Sequence, residues 1–362
     1  MARVTIQTPA GARQKSFYGT TRREALDKMV AAIAASNAGT LAFDDGTSLG
    51  EFLDVWLDGV ASTLKPSSVE AYQRVIRAHL KPALGHHRLS KLTAPAIARY
   101  YSQKLAAGLS PASVRQHYAV LHRALKAAHK WHMVNENVAS LVTPPSARRK
   151  EMHPLDPDEA RQLLDAARAA EGKNRYAAVY PLAIGTGARI GELAALRWSD
   201  VDLDNATVRI SRTRSSAKSG PTFVSPKSGK SRTVSLPEFA VAALRRHRTR
   251  QAEERLARGI GKGSDDDLVF PGRDGVSPFN TDTLLRHNFK PLLERAGLGD
   301  RRRNLHDLRH TFATTALSRG VYVKVVQEAL GHATIAMTLD VYGHTLPSQT
   351  SAAAIAMQEA LG

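Results

Sequence analysis

The chain has 362 residues, the length of two or three domains, and 43% of them are hydrophobic, so packed cores are expected and disorder is not. Lysine and arginine total 51 against 33 acidic residues, and the net charge of +18 favours a polyanionic partner, most simply nucleic acid, over a merely basic soluble protein. The lack of cysteine excludes disulfides, thiolate metal sites and cysteine nucleophiles. No apolar run approaches the roughly 18 residues of a membrane span and no signal peptide is evident, so a soluble, intracellular protein is expected.

Residues 1–45 have the pattern of a small β-α module. Residues 4–6 and 15–18 are strand-like, and the Pro-Ala-Gly stretch at 9–11 predicts a turn between them. A capping pattern at residues 20–25 then predicts that a helix follows the two strands.

Residues 48–143 are predicted to form an all-helical domain. Further helices are expected to begin near Pro66, at Thr93 and at Ser110, which is followed by a proline at the first helical position. Basic residues lie between the apolar positions, and a solvated face is the ordinary explanation for any single one of them. The first helix is indicated by apolar residues at helical spacing, namely Leu49, Phe52, Leu53, Trp56, Leu57 and Val60.

Proline and basic residues at 144–152 indicate a linker, because proline stiffens the chain and the charges keep it in solvent or on phosphate. A further domain, residues 153–362, begins with Asp156, Pro157 and Glu159. These three residues combine a helix N-cap, a proline in the first turn and a capping box.

The domain 153–362 is predicted to be mixed and mainly helical, which assigns the whole chain to a mostly α class with small β-sheets (α+β). Helices are expected at 159–170, at 176–184, from a glycine-containing turn at 185–193 through Leu196, from Pro237 to Arg250 and from Thr281 onwards. Strands are expected at 207–210 and at 268–271. Two further strands, 222–224 and 232–236, are expected to form a hairpin around a turn at 226–230.

Four residues near the carboxyl end have side chains suited to phosphate chemistry. His306 and Arg309 lie three apart in one predicted helix and therefore point the same way, and His332 and Tyr342 follow. An arginine can bind phosphate oxygens through two hydrogen bonds, a histidine can give or take a proton, and a tyrosine can attack phosphorus. Each residue taken singly is weak evidence, because a histidine is commonly a satisfied core residue and a tyrosine ring commonly packs.

Two further candidates are Arg189, in the glycine-containing turn, and Lys227, in the predicted hairpin turn. Either one alone would be interpreted as an ordinary surface residue. A metal site at His306 and His310 is disfavoured, because no acidic pattern accompanies the two histidines and Arg309 between them would repel a cation.

In this order and spacing, the candidates resemble the tyrosine recombinases of the phage-integrase type. The resemblance covers residues 153–346. Residues 48–143 resemble the family's core-binding (SAM-like) domain, and residues 1–45 resemble its arm-type DNA-binding module, which often has a further strand before these two and so can be incomplete here. The motifs that carry the resemblance are residues 186–193, 226–227, 305–310, 330–332 and 340–342.

The resemblance implies a role for each candidate. Tyr342 would attack the scissile phosphorus, giving a 3′-phosphotyrosyl bond and a free 5′-hydroxyl. Arg189 and Arg309 would neutralise the non-bridging oxygens of the transition state. His306 would accept or share the tyrosyl proton, and His332 would hydrogen-bond the phosphate.

The departing 5′-oxygen would take its proton from Lys227. Lys230 is the rival, and Lys227 is preferred because its distance from the second predicted hairpin strand matches the family better. Glu192 and Asp307 would support Arg189 and the helix that carries Arg309. No metal, ATP or other cofactor is expected, because two arginines and a lysine supply the positive charge and a phenol can leave again in the reverse step.

The implied function is site-specific recombination by a phage or mobile-element integrase, which integrates or excises DNA through a Holliday junction. Expected partners are double-stranded attachment-site DNA, further copies of the chain in a homotetramer, an excision factor and a DNA-bending host protein, with no membrane. The expected location is the nucleoid in a bacterial cytoplasm.

The three-part layout favours an integrase over a chromosome-dimer resolvase. The last predicted helix, 351–361, is expected to dock on a neighbouring protomer. The rivals are a type IB topoisomerase and a non-catalytic DNA-binding regulator.

Overall fold

The computed structural model describes residues 2–8, 11–17, 20–21, 23–24, 46–146, 152–217, 220–226, 229–299, 303–345 and 357–361. The chain divides into two compact units, residues 1–149 and 150–362, so the boundary falls inside the predicted linker. Helices dominate the described residues and the sheets are small, which confirms the predicted fold class. The separation of the first 45 residues from the helical domain stays a prediction.

The amino-terminal strands are present and longer than predicted. Strands β1 (Ala2–Thr8) and β2 (Gly11–Phe17) pair antiparallel. The capping pattern is also formed, since the Thr21 hydroxyl accepts a hydrogen bond from the Glu24 amide at 3.2 Å. The remainder of the helix predicted after it lies outside the described residues.

The first helix of the helical part, α1 (Leu49–Ala61), begins at a reciprocal cap. The Ser48 hydroxyl accepts from the Glu51 amide at 3.2 Å, and the Glu51 carboxylate accepts from the Ser48 amide at 2.9 Å. Its apolar stripe is confirmed: the residues from Leu49 to Leu57 in that stripe are buried and Val60 is half-buried against the same core.

The next helices are α2 (Pro66–Val75), α3 (Lys81–Leu84), α4 (Ala94–Ala106) and α5 (Pro111–Lys130), with a π-helical segment at Ile76–Leu80 joining the first two. The predicted starts are confirmed. Pro82 lies two residues after the π segment. Because this proline lacks an amide hydrogen and crowds the carbonyl four residues earlier, inside the segment, the helix widens there. Thr93 occupies the N-cap of α4 without a side-chain hydrogen bond, whereas Ser110 caps α5 through the Ser113 amide at 3.2 Å.

The second unit begins with α6 (Pro157–Ala169), whose predicted capping box at Asp156 is confirmed. Helix α7 (Val179–Thr186) ends at Gly187, and α8 (Ile190–Leu193) is only one turn long. The prediction that this helix continues through Leu196 is wrong. The Leu196 carbonyl instead accepts a hydrogen bond from the Val269 amide at 2.8 Å, which draws the backbone out of the helix.

The small strands pair differently from the predicted hairpin. Strands β3 (Val201–Asp202), β4 (Thr207–Ile210) and β7 (Arg232–Ser235) form one sheet in the order β3-β4-β7, and β5 (Thr213–Ala217) pairs with β6 (Gly220–Val224) in a separate hairpin. The predicted pairing of 222–224 with 232–236 is therefore wrong.

Two boundaries in the middle of this unit also differ from expectation. Helix α9 (Glu238–Ala257) begins after Pro237 as predicted but continues beyond Arg250. No strand forms at 268–271, where the described residues make only isolated bridges, Leu268 with Arg197 and Pro271 with Pro278.

The carboxyl-terminal part consists of short helices, in agreement with the prediction of helix after Thr281. They are α10 (Thr281–Leu284), a π-helical segment at Leu285–Phe289, α11 (Lys290–Arg295), α12 (Asp307–Ser318), α13 (Val323–Leu330), α14 (Ile335–Tyr342) and a 3-10 turn at Gly343–Thr345.

Only residues 357–361 of the predicted last helix are described, and they are helical. Tyr342 packs in a small apolar cluster with residues of α12 and α13, apart from the main core of the unit. Among the helices in the described part of the chain, none is long and apolar enough to cross a membrane.

Candidate active site

The turn that carries Arg189 is held against helices α12 and α13. Gly187 ends α7 with a φ of +62°, and a Cβ atom there would lie 2.5 Å from the Phe312 ring and 2.9 Å from Leu330. Glycine is therefore required both for the backbone conformation and for the close approach. Arg309 donates to the Gly187 carbonyl at 2.8 Å, which ties this turn to α12.

Glu192 is a buried carboxylate that pairs with two arginines. It accepts from the Arg189 amide at 2.9 Å and the Arg189 guanidinium at 3.0 Å, and from Arg232 at 2.6 and 3.2 Å. Burial alone would raise the pKa of Glu192, but the hydrogen bonds and charges of Arg232 and Arg189 hold it below its ordinary value. Glu192 is thus ionised, and it supports Arg189 in the manner the sequence predicted.

Arg232 is a site residue that the sequence analysis missed. Its side chain is 9% exposed, and its Nε donates to the Ala329 carbonyl at 2.6 Å. Its guanidinium packs against Gly331: a Cβ atom at that glycine would lie only 2.9 Å from a terminal nitrogen of Arg232. Arg232 therefore links Glu192 to the end of α13, next to His332. No sequence signal could have paired it with Glu192, because the two are 40 residues apart.

Arg309 is almost completely buried, with 2% of its surface exposed. Its two terminal nitrogens donate to the carbonyls of Gly187 and Leu330 at 2.8 and 2.7 Å. Burial, followed by the charge of Arg189, lowers the pKa of Arg309 to about 9, which leaves it protonated at neutral pH. A buried cation with carbonyl partners and a neighbouring cation favours an anionic ligand.

Two histidines of α12 lie one turn apart. His306 stands at the N-cap position, and its ring meets that of His310 edge to face at 4.8 Å between centroids. Although His306 keeps an exposed face, burial of the rest of its ring and the nearby charges of His310 and Arg309 lower its pKa to about 4. Asp307 is buried and accepts from the Asn304 amide at 2.7 Å, which stabilises the turn before the helix.

Tyr342 is 1% exposed and its hydroxyl lies 2.6 Å from Nδ1 of His310. Burial raises the pKa of Tyr342 to about 12, against the opposing effect of the positive charges of Arg309 and Arg189. The side chain that contacts the phenol is therefore His310, whereas the family resemblance assigns the tyrosyl proton to His306.

His332 follows Gly331, which ends α13 in the left-handed conformation with a φ of +63°. One ring nitrogen, Nδ1, lies 2.9 Å from the Thr338 hydroxyl, and the backbone of His332 is hydrogen-bonded to Gln327 at both its amide and its carbonyl. Burial, followed by the charge of Arg309, lowers the pKa of His332 to about 4, so the ring is neutral at pH 7.

Lys227 lies outside the described residues, as does Ser228. The connection that contains it runs from β6 to β7, which belong to different sheets, and is not the turn of a single hairpin. Lys230 is described and exposed, two residues before Arg232. The choice between the two lysines stays a prediction.

The structure thus brings together the predicted site residues that it describes, although they come from three separate parts of the sequence. The guanidinium charges of Arg189 and Arg309 shift the pKa of three other members of the group, His306, His332 and Tyr342. In the described ranges, no three histidine, aspartate or glutamate side chains are grouped so that they could hold a metal ion. A buried phenol, neutral imidazoles and guanidinium groups are suited to attack on a phosphodiester.

Comparison with protein families gives two matches. Residues 153–349 match the phage integrase family, and residues 48–105 match the N-terminal SAM-like domain of phage integrases. The first match covers the part of the chain that contains all the candidate residues.

Individual relatives match over most of the chain. A tyrosine recombinase XerC-like protein of Caldanaerobacter subterraneus subsp. tengcongensis is 29% identical, covering 93% of this chain and 89% of the relative. An integrase of Streptomyces ambofaciens is 30% identical, covering 92% and 86%.

Solved structures share the fold. The integrase of transposon Tn1549 bound to transposon right end DNA has a TM-score of 0.69 and 19% identity, covering 86% of this chain and 99% of that one. A lambda integrase dimer bound to a COC′ core site has a TM-score of 0.58 and 18% identity, covering 94% and 92%.

Proposed function

Because the chain belongs to the phage integrase family, whose members are tyrosine recombinases that cut and rejoin DNA, we propose that Tyr342 attacks the scissile phosphate. The observation that carries this assignment is the position of its hydroxyl, 2.6 Å from Nδ1 of His310, the residue that follows Arg309 on α12. Attack forms the bond between the phenolic oxygen and phosphorus and releases the 5′-oxygen of the broken strand. The phosphotyrosyl bond keeps the energy of the broken bond, so rejoining needs no ATP.

The charge of the group supports a phosphate as its ligand. Arg189 and Arg232 share the single carboxylate of Glu192, and Arg309 is hydrogen-bonded to backbone carbonyls. The positive charge is therefore in excess. A phosphodiester carries one negative charge and gains a second in the pentavalent transition state, so preformed arginines stabilise the transition state more than the ground state. His332, neutral and held at Nδ1, would donate a hydrogen bond from Nε2 to a phosphate oxygen.

The nucleophile is tested by trapping the covalent intermediate. Tyr342→Phe should bind attachment-site DNA with unchanged, salt-sensitive affinity but form no adduct on a nicked suicide substrate, because the attacking oxygen is gone. Tyr322→Phe is the matched control, since that tyrosine is 69% exposed and should trap DNA as the unmodified chain does. An adduct formed by the Tyr342 variant would disprove the assignment.

Lys227 is proposed as the general acid for the departing 5′-oxygen, with Lys230 as the alternative. A substrate with sulfur in place of that bridging oxygen needs no such proton, because a thiolate leaves readily. Lys227→Ala should therefore lose about 10²-fold or more in cleavage of ordinary DNA and recover on the sulfur substrate. Lys230→Ala should do neither. The reverse pattern would assign the acid to Lys230.

We infer that the chain is an integrase of a phage or another mobile element and acts as a tetramer on double-stranded DNA in a bacterial cytoplasm. The relatives named integrase and the transposon integrase solved with its DNA end support this proposal. An excision factor and a DNA-bending host protein would complete the assembly. A type IB topoisomerase would relax supercoiled DNA that lacks paired sites, and a non-catalytic regulator would form no adduct on any substrate.

The other parts of the chain are proposed to bind DNA at a distance from the chemistry. Residues 48–143 would bind the core site beside the cleavage point, in keeping with the SAM-like match at 48–105. Residues 1–45 would bind arm-type sites. The segment 351–361 would dock on a neighbouring protomer and control when Tyr342 reaches the phosphate.

A further inference from the structure

The hydroxyl of the proposed nucleophile has a hydrogen-bond partner within the protein itself. Nδ1 of His310 lies 2.6 Å from Oη of Tyr342, and the two ring centroids are 5.6 Å apart. Both elements that carry these residues are fixed: α12 by the Arg309 hydrogen bonds, and α14 by packing of the Tyr342 ring among apolar residues of α12 and α13. The contact is thus built into the fold.

A phenol in this position needs a proton acceptor when it attacks. Tyr342 is almost fully buried, and burial keeps its proton on at neutral pH. The positive charges of Arg189 and Arg309 stabilise the phenolate but cannot remove the proton. A neutral imidazole at hydrogen-bond distance can do so, since a histidine nitrogen is a base near neutral pH.

We propose that His310 is the catalytic base that takes the proton from Tyr342 as the phenolic oxygen bonds to phosphorus. The inference rests on the proposed role of Tyr342 as nucleophile. In the cleavage step the O–H bond of Tyr342 breaks, its proton moves to Nδ1 of His310, the new O–P bond forms and the P–O5′ bond breaks, with the lysine supplying a proton to the 5′-oxygen. In rejoining, His310 returns the proton to the departing phenol.

The geometry separates His310 from His306. The ring of His306 contacts the ring of His310 and keeps an exposed face, whereas the hydrogen bond to the phenol belongs to His310. Burial, followed by the charge of Arg309, lowers the pKa of His310. A bound phosphate offsets the effect of that charge, because it places a negative charge beside the same arginine.

A substitution that keeps the hydrogen bond but not the basicity tests the proposal. In His310→Asn the amide oxygen occupies about the place of Nδ1 and can accept the phenolic hydrogen bond, but it cannot hold the proton. Single-turnover cleavage of a suicide substrate should fall about 10²-fold or more, with DNA affinity and the melting temperature close to those of the unmodified chain. Cleavage within threefold of the unmodified chain would overturn the proposal.

Rescue by a more acidic nucleophile distinguishes a base from a positioning residue. Replacing Tyr342 by a ring-fluorinated tyrosine lowers the pKa of the phenol, so the proton is lost more easily without a base. A chain that carries both this change and His310→Asn should therefore cleave at least tenfold faster than the His310→Asn chain. The same fluorinated tyrosine in His306→Asn should give no comparable gain. A slow His310→Asn chain without rescue, or rescue confined to His306→Asn, would refute the role assigned to His310.

The outcome is separable from failure of the nucleophile assignment. If Tyr342→Phe still forms a covalent adduct, the proposed function fails irrespective of the histidines. If Tyr342→Phe forms none and His310→Asn cleaves normally, Tyr342 remains the nucleophile and only the inference about His310 is lost. Circular dichroism and DNA affinity, measured on each variant, verify that the chain is folded.

Discussion

Glu192 is the residue that allows Arg232, which is largely buried, and Arg189, which is partly exposed, to lie side by side. Its side chain is 1% exposed, and it accepts hydrogen bonds from both arginines. A buried ion pair contributes little net stability by itself, but removing one partner leaves the other charge buried without compensation. The carboxylate of Glu192 therefore holds both arginines in place, and its loss would leave both guanidinium charges uncompensated.

We expect Glu192→Gln to destabilise the unit 150–362 by about 3 kcal/mol or more, because the amide keeps the shape but leaves two guanidinium charges without a counter-charge. Urea unfolding of the full chain, followed by circular dichroism, measures the loss. Strand cleavage should fall as well, since Arg189 loses the partner that orients it.

Asp204→Asn is the matched control for that experiment. Asp204 pairs with Arg245 at 3.3 Å, but its side chain is 96% exposed, so solvent already screens the pair. The unfolding curve of this variant should match that of the unmodified chain. Equal losses in the two variants would show that burial of Glu192 has no special effect.

The residues of the site differ in how far the sequence could identify them. Arg189, His306, Arg309, His332 and Tyr342 were recognisable by type and order, because phosphoryl transfer needs those functional groups. Arg232 and His310 were not assigned. Their significance lies in contacts with Glu192 and Tyr342, which are 40 and 32 residues away in the chain.

At the scale of elements, the turn between α7 and α8 determines where Arg189 lies. Gly187 adopts a left-handed conformation and leaves no room for a side chain beside Phe312 and Leu330. The sequence indicated a glycine-containing turn here. It could not indicate that the turn is pressed against α12 and α13, since those helices follow more than a hundred residues later.

Gly187→Ala is therefore expected to cost about 2 kcal/mol or more, since it combines the left-handed conformation with a Cβ atom 2.5 Å from the Phe312 ring. Cleavage should fall with it, because Arg189 and Arg309 are both held by this turn. Thermal unfolding and suicide-substrate cleavage measure the two effects.

Gly172→Ala serves as the comparison within the same unit. No atom would lie within 4 Å of its Cβ, and its φ is not in the left-handed region. Stability should stay the same or rise slightly, because alanine restricts the unfolded chain. If Gly187→Ala behaved in the same way, the close approach of the turn would not be important.

The sheets show why element pairing is harder to predict than element type. Val208 and Ile210 of β4 and Val234 of β7 alternate along their strands and are buried in the main core, so β4 and β7 pair across the intervening hairpin. Strand β5, with the sequence Thr-Arg-Ser-Ser-Ala, lacks any apolar alternation. The sequence pattern therefore predicts no strand at β5 and pairs the residues of β6 with those of β7 instead.

For the molecule as a whole, buried neutral histidines make stability depend on pH. His247 is 6% exposed, its Nε2 lies 2.6 Å from the Val269 carbonyl, and burial lowers its pKa from 6.5 to about 4. His117, in the other unit, is also buried, and its pKa is lowered to about 4 mainly for the same reason. Each unit thus contains a histidine that folds in its neutral form.

As the pH falls below about 6.5, the unfolded chain binds a proton at these positions before the folded chain does, so folding becomes less favourable. The stability that His247 contributes is complete above pH 6.5 and is lost progressively until about pH 4, with a total loss of at most about 3 kcal/mol. Urea unfolding of the unmodified chain and of His247→Gln at pH 7 and pH 4.5 measures this. The variant should show the smaller acid-induced loss, and an equal loss would contradict the assignment.

The sequence alone determined which chemistry the chain can perform and most of the helices that carry it. Caps, prolines and apolar spacing act over a few residues, and the order of Arg189, His306, Arg309, His332 and Tyr342 is a property of the chain itself. Only the tertiary structure decided which strands pair, that Arg232 joins Glu192, and that His310 is the residue in contact with the phenol. These features depend on contacts between distant segments, and such contacts follow from how the buried surfaces pack together, which no local pattern encodes.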